Sequence, residues 1–110
     1  MENQTLNKAL IRGRVGQEPR QFNAGDSIGI RFSVATSETY HDRSGNIKEE
    51  VNWINICAWE GRNINNLKDI RKGMMVCVEG RIRNTRYMGS DGSERYTSEI
   101  VANKLELVRN

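Results

Sequence analysis

The sequence predicts an all-β fold, a small barrel or a sandwich, because short segments of alternating apolar and polar residues are separated by turn residues. The predicted strands cover residues 8–15, 27–37, 51–59, 74–83 and 95–108. Glycine, asparagine and aspartate recur between them, as in the turn predicted at residues 23–26. A chain of 110 residues has the length of one domain, so we expect residues 1–110 to form a single unit.

Alternation within each strand predicts which side chains face the core, since successive residues of a strand point to opposite faces. On the first, second and fourth strands the inward residues are Ala9, Ile11, Gly13, Val15, Ile28, Ile30, Phe32, Val34, Val76, Val78, Gly80 and Ile82. On the third strand they are Ile54, Ile56 and Ala58.

The segments between the strands complete the predicted order. Residues 38–50 are polar and are expected to form a long hairpin arm between strands two and three. Ile64, Leu67 and Ile70 have helical spacing, which predicts a helix over residues 63–70 that ends at Gly73. The order β-β-β-α-β-β, with one helix between strands three and four, is that of the OB-fold, a five-stranded Greek-key barrel.

Composition excludes several classes of function. No apolar run approaches the roughly 20 residues needed to span a membrane, and the N-terminus lacks the basic and apolar regions of a signal peptide. We therefore expect a cytoplasmic protein without membrane contact. Cys57 and Cys77 have no metal-ligand spacing and His41 is the only histidine, so we expect free thiols, no metal, no cofactor and no enzymatic activity.

The third strand carries Trp53 and Trp59 on the face opposite its apolar residues, with Asn55 and Cys57 between them. Tryptophans six residues apart on one strand are separated by about 20 Å. Spaced aromatic side chains on a sheet face can stack on unpaired bases. The alternative is a strand buried on both faces, in which both tryptophans belong to the core.

Charge favours the first interpretation. The net charge is +3, and arginine and lysine are concentrated in residues 71–86, where Glu79 is the only acid. A run of charge is usually only a solvated face, but beside an aromatic face it is a candidate track for phosphates.

Five segments together resemble the bacterial single-stranded DNA-binding protein family, across about residues 5–108. They are GRVGQEP at 13–19, FSVATS at 32–37, VNWINICAW at 51–59, VCVEGRIR at 76–83 and DGSERYTSEIV at 91–101. The resemblance implies an OB-fold that assembles as a homotetramer and wraps single-stranded DNA.

The resemblance also implies the residues of a binding site. The base-stacking positions are Tyr40, Trp53, Trp59 and Tyr87. Phosphate contacts are expected from Lys72, Arg83 and Arg86, and from Arg43 and Lys48 in the arm. Arg62 stands in for a cation that the family often has at Gly61, and Arg12, Arg14 and Arg31 point away from the predicted core as further candidates.

The sequence departs from the family pattern in three respects. Tyrosine occupies positions 40 and 87, where tryptophan is common, and Trp59 occupies a position where phenylalanine is common. Asn55, Gly61 and Thr85 stand where cations are frequent, which implies a shallower salt dependence of binding. The sequence stops at Asn110 without the acidic tail through which family members recruit proteins; either the tail was trimmed or the protein naturally lacks it, so tail-mediated partners are not part of the expectation.

Three functions remain to be compared. The first is sequence-nonspecific binding and protection of single-stranded DNA in replication, repair and recombination, by a nucleoid-associated homotetramer. The second is that of a tailless primosomal or plasmid-type paralogue, although the primosomal type keeps fewer of these aromatic residues. The third is a protein-interaction OB domain with Trp53 and Trp59 in a subunit interface.

Overall fold

Six β-strands form one continuous sheet in the computed structural model, which describes residues 4–61, 64 and 66–108. The strands are β1 (Ala9–Val15), β2 (Arg20–Ala24), β3 (Ser27–His41), β4 (Ile47–Trp59), β5 (Met75–Met88) and β6 (Glu94–Leu107). They are ordered β1-β5-β6-β4-β3-β2, and a further pairing of β1 with β3 closes five of them into a barrel. The predicted five-stranded OB-fold barrel is therefore confirmed.

The barrel interior holds the apolar side chains that the alternation predicts. Phe32 and Val34 on β3 and Ile56 on β4 are buried, and Val76 and Val78 of β5 belong to the same core. Burying a side chain of this size contributes about 1.5–3 kcal/mol. The pairing is antiparallel except between β4 and β6, where Ile56 and Ile100 lie side by side in parallel strands.

Ile28 and Ile82 were expected in the core and are exposed, by 37% and 49% of their surface. Ile28 is the second residue of β3, beside the turn that connects it to β2. Ile82 lies beyond Gly80, the last residue of β5 that pairs with β1. The prediction is wrong at both positions because the alternating pattern extends beyond the part of each strand that the barrel covers.

Two hairpin arms extend from the barrel. β3 and β4 remain paired as far as His41 and Ile47, which confirms the predicted arm. β5 and β6 remain paired as far as Met88 and Glu94. Asp42 closes the first arm by accepting hydrogen bonds from the backbone N–H groups of residues 44 and 46, both at 2.9 Å.

The turn of the second arm uses the same chemistry. The carboxylate of Asp91 accepts hydrogen bonds from the hydroxyl of Ser93 at 2.6 Å and from its backbone N–H at 3.0 Å. These bonds lower the pKa of Asp91 below its usual value, because they favour the charged carboxylate. Local side-chain hydrogen bonds thus stabilise the turns at the ends of both arms.

Two local elements differ from the sequence prediction. β2 was not predicted, because its five residues, RQFNA, are too few and too polar to show an alternating pattern. The helix predicted over residues 63–70 is, within the described residues, a 3-10 helix at Leu67–Asp69. The apolar residues that suggested it, Ile64, Leu67 and Ile70, are nevertheless buried in the core.

Candidate nucleic-acid interface

Trp53 lies on the face of β4 turned away from the barrel interior, as predicted, and is 61% exposed. Trp59 is on the same strand, six residues further on, and is half-buried. Trp53 is therefore not part of the core of this chain. Its ring is open to solvent, which a side chain that stacks on a base requires.

The Trp53 ring lies against the backbone of Gly16, in the connection from β1 to β2. A Cβ atom at position 16 would overlap the six-membered part of the indole, and would also lie 3.2 Å from the hydroxyl of Ser33. Glycine is thus required here by close approach rather than by backbone conformation. Gly16 determines how deep the ring of Trp53 can lie.

An open cleft of about 810 Å³ lies next to Trp53. Its floor comes from β3, β4 and β6, and its walls from the β1–β2 connection and the β5–β6 arm. Tyr87, Arg31 and Arg86 line it together with Trp53. The volume is within the range of small-molecule pockets, but those are lined mainly by apolar side chains. Exposed aromatic rings with cations beside them suit a single strand of nucleic acid better.

Glu99 forms the base of the cleft and is only 6% exposed. Its Oε1 accepts a hydrogen bond from Arg83 Nη2 at 2.6 Å, and its Oε2 faces Arg31 Nε at 3.4 Å. Arg83 is the direct cross-strand partner of Glu99 on β5. The hydrogen bond to Glu99 raises the pKa of Arg83 further above its usual value. A buried carboxylate thus holds two of the predicted phosphate contacts.

Cys57 is buried below this ion pair, although the alternation placed it on the open face with Asn55. The charged groups of Arg31, Arg83 and Glu99 are close enough to influence its titration. Burial raises the pKa of the Cys57 thiol, and Glu99 raises it further. Cys57 therefore stays a neutral thiol, and its small side chain leaves room for Arg31 and Glu99 to meet above it.

Trp59 packs against Phe22 of β2, with the ring centroids 4.9 Å apart and the rings nearly perpendicular. Phe22 in turn lies on Gly29, where a Cβ atom would be 2.5 Å from its Cζ. The guanidinium carbon of Arg31 lies over the Phe22 ring, 4.5 Å from its centroid. Phe22 thus links Trp59 to the base of the cleft.

The β5–β6 arm presents Tyr87 and Arg86. Tyr87 is 51% exposed, and its cross-strand partner is Arg95. Arg86 donates to Glu94 at 2.8 Å in a solvent-exposed ion pair. Exposed pairs of this kind contribute only about 0–1 kcal/mol, so Arg86 can exchange Glu94 for a phosphate at little cost.

Tyr40 and Lys48 are direct cross-strand partners in the β3–β4 arm and are both exposed. Their face of the arm is the one opposite Trp53, since they occupy even positions of the two strands. Arg43 lies in the turn at the end of the same arm and is also exposed. A strand that contacts both Trp53 and Tyr40 must follow the twist of the arm or pass around its edge.

The remaining predicted cations are distributed around the barrel. Lys72 is exposed, and its backbone N–H donates to the Glu18 carboxylate at 3.0 Å. Arg14 donates to the carbonyl oxygen of Gly73 at 3.0 Å. Arg12 lies in a second, shallower depression on the other side of Trp53. Arg62 lies outside the described residues.

Within the described parts of the chain, no group of three or more His, Cys, Asp or Glu side chains is placed to hold a metal ion. In the same residues, no helix has the length and apolar character needed to cross a membrane. The cleft is thus a surface of aromatic rings, guanidinium groups and polar side chains.

The sequence as a whole matches a known family. Residues 6–108 match the model of the single-strand binding protein family. The chain belongs to this family. The membership predicted from the five segments is therefore confirmed, and the match includes every strand of the barrel.

Curated relatives support this membership. The chain is 39% identical over 106 residues to the single-stranded DNA-binding protein of Neisseria meningitidis serogroup A, covering 94% of this chain and 60% of the relative. It is 34% identical over 105 residues to that of Xanthomonas campestris pv. campestris, with coverage of 94% and 60%. The chain thus spans about 60% of the length of these relatives.

Solved structures share the fold. A Plasmodium falciparum SSB in complex with ssDNA superposes with a TM-score of 0.86 at 27% identity, covering 99% of this chain and 100% of that one. A deletion mutant of the single-stranded DNA binding protein from Thermus aquaticus gives a TM-score of 0.80 at 18% identity, over 94% of this chain and 51% of that one. At that identity the second match shows the fold alone.

Several residues of the cleft were not predicted from the sequence. Arg20 lines the cleft from β2, and Phe22 of the same strand contacts Arg31; β2 showed no recognisable strand pattern. Glu99 was overlooked beside the apolar residues 100–102 of β6, although the β5–β6 turn places it directly opposite Arg83. The cross-strand register was the signal that could have found it, since opposite charges face each other across a hairpin.

Gly16 provides a direct test of how Trp53 is positioned. We expect Gly16→Ala to weaken binding of poly(dT) by about 1 kcal/mol, the low end for one base stack, because the new Cβ displaces the indole. A fluorescence titration measures the loss. In a Trp53→Ala background the same change should have little further effect, since neighbouring residues that act through one contact are not additive. An equal loss in both backgrounds would show that Gly16 acts elsewhere.

Proposed function

We propose that this chain is a sequence-nonspecific single-stranded DNA-binding module, and not an enzyme, that protects unpaired strands in replication, repair and recombination. The observation that carries the proposal is the cleft in which Trp53 and Tyr87, both more than half exposed, lie beside Arg31 and Arg86. Base–aromatic stacking tolerates any sequence because every base has a π-face.

The path of the strand follows from the positions of these groups. Bases stack on Trp53 and Tyr87 in the cleft, while Trp59 and Tyr40 extend the contact to either end of the β3–β4 ribbon. Phosphates are held by Arg86, Lys72, Arg43 and Lys48, with Arg12 and Arg14 as outer contacts. Positive charge on several sides of the barrel suits a strand that wraps around it.

Poly(dT) titration tests the proposal. Tryptophan emission should be strongly quenched on binding, because Trp53 stacks on bases, and affinity for duplex DNA at matched salt should be much lower. Stacking surfaces are hidden in a duplex, so duplex binding would rest on phosphate contacts alone. Equal affinity for single-stranded and duplex DNA would contradict the proposal. Unchanged emission would favour the protein-interaction domain instead.

Phosphate contacts are tested separately through salt dependence. Lys72→Ala should reduce the slope of log K against log salt by about 0.7, the value for one phosphate contact on a single strand. Lys68→Ala is the matched control, since Lys68 is exposed on the 3-10 helix and is outside the proposed contact set. An unchanged slope for Lys72→Ala would remove that residue from the site.

We further propose that the chain acts as a homo-oligomer, a tetramer by analogy with its family, in the cytoplasm. β1 supports self-association, since Ala9–Arg12 pair with β5 on one side and, among the described residues, pair with no strand on the other. Leu10 on this strand and Leu6, which precedes it, are exposed. Linking several modest sites along one strand raises affinity through effective concentration.

Light scattering at micromolar protein tests the assembly. A mass of four chains would support the tetramer, and a mass of two would favour the dimeric primosomal or plasmid type. A monomer would contradict both the assembly and the wrapping of a strand across several copies. Protein partners that dock on an acidic tail are not part of the proposal.

A further inference from the structure

Arg31 is held in an arrangement that differs from that of the other cations of the cleft. Its guanidinium carbon lies over the Phe22 ring at 4.5 Å from the centroid, and its Nε is 3.4 Å from Glu99 Oε2. The side chain is nevertheless 53% exposed and lines the cleft. One side of the group is thus covered by protein, and the rest is open to solvent.

The groups that hold Arg31 are themselves fixed. Phe22 is confined between Gly29, which has no side chain to keep it away, and the ring of Trp59. Glu99 is buried and is held by Arg83 at 2.6 Å. Because both supports are tied to neighbouring strands, they restrict the position of the Arg31 guanidinium before any ligand binds.

The position of Arg31 fills a gap in the stacking surface. Its cross-strand partner is Cys57, which lies four residues from Trp53 and two from Trp59 on the same face. At 3.3 Å per residue, these separations are about 13 Å and 7 Å. The small, buried Cys57 offers no surface to a base, so Arg31, its neighbour on β3, is the side chain that can cover the interval between the two tryptophans.

We propose that Arg31 is a base-stacking residue, supported from below by Phe22 and Glu99, that receives an unpaired nucleobase on its open side. This inference rests on the proposed single-stranded DNA function and assigns Arg31 a role other than phosphate contact. Arginine guanidinium planes stack on unpaired bases as aromatic rings do. Glu99 offsets part of the charge, so a phosphate gains less from Arg31 than from Lys72, which has no ion-pair partner among the described residues.

Arg31→Lys separates the two roles, because lysine keeps the charge and can still pair with Glu99 but has no planar group. We expect affinity for poly(dT) to fall about five- to tenfold, the low end for losing one base stack, with an unchanged salt slope. The second probe is an abasic deoxyribose-phosphate oligomer of matched length, which has phosphates but no bases. On it, the wild type and Arg31→Lys should bind equally weakly.

Arg81→Lys is the matched control, since Arg81 is exposed on β5 outside the cleft and should leave both affinities unchanged. Phe22→Leu keeps an apolar contact on Gly29 but removes the aromatic support, so it should lower poly(dT) affinity without changing the salt slope. Wild-type affinity of Arg31→Lys for poly(dT), or an equal loss on both probes, would overturn the assignment. Failure of the wild type to bind poly(dT) would instead overturn the proposed function, and this inference with it.

Discussion

Arg83→Ala is expected to destabilise the fold by about 3 kcal/mol, the low end of the range for breaking a buried ion pair. The change removes the 2.6 Å partner of a carboxylate that is almost fully buried and leaves Glu99 with Arg31 at 3.4 Å. A buried charge that has lost its nearer partner is costly because water no longer solvates it. Urea denaturation should show this as a lower midpoint with an unchanged m-value.

Arg86→Ala provides the control for that measurement. Arg86 lies further along β5 and also pairs with a glutamate of β6, but at a solvent-exposed position. Its loss should cost less than about 1 kcal/mol. Similar destabilisation by the two variants would show that Glu99 is solvated in the folded protein, and that the pair with Arg83 is an ordinary surface contact.

The ion pair also changes how Arg83 can be used to study binding. The sequence suggested that Arg83 and Lys72 were equivalent phosphate contacts. In the structure Arg83 is bound to Glu99, so its removal alters the base of the cleft as well as the charge. Lys72 has no acidic side chain within ion-pair distance among the described residues, which makes it the cleaner probe of salt dependence.

The barrel could be predicted because its strands have a periodic pattern. Val34, Ile56 and Val78 lie where alternation placed them, since one face of each strand must be buried. Ile82 shows the limit of the pattern. Alternation predicts the face of a strand, but only the pairing of neighbouring strands determines how much of that face is covered.

The candidate site was less predictable, because it depends on contacts between strands that are distant in sequence. Phe22 meets Trp59 and Arg31 only because β2 pairs with β3, and β2 has no periodic signal of its own. Glu99 contacts Arg31 across β4, although the two residues are 68 positions apart in the sequence. Exposed aromatic residues such as Trp53 could be predicted from one strand, whereas the charges that surround them required the complete sheet.

Trp53→Ala is expected to reduce affinity for poly(dT) by about 1–3 kcal/mol, the cost of one lost base stack. The ring is 61% exposed and is not part of the core, so the stability of the fold should change little. The salt slope should also stay the same, since no cation is removed. A fluorescence titration at several salt concentrations, with urea denaturation alongside, measures all three quantities.

Trp59 serves as the comparison, because it is half-buried and packs edge-on against Phe22. Trp59→Ala should therefore lower both affinity and stability, whereas Trp59→Phe keeps an aromatic ring and should retain most of both. If Trp53→Ala instead binds poly(dT) normally but fails to assemble in light scattering, Trp53 belongs to a subunit interface. The contrast between an exposed and a supported tryptophan on one strand thus separates loss of stacking from loss of structure.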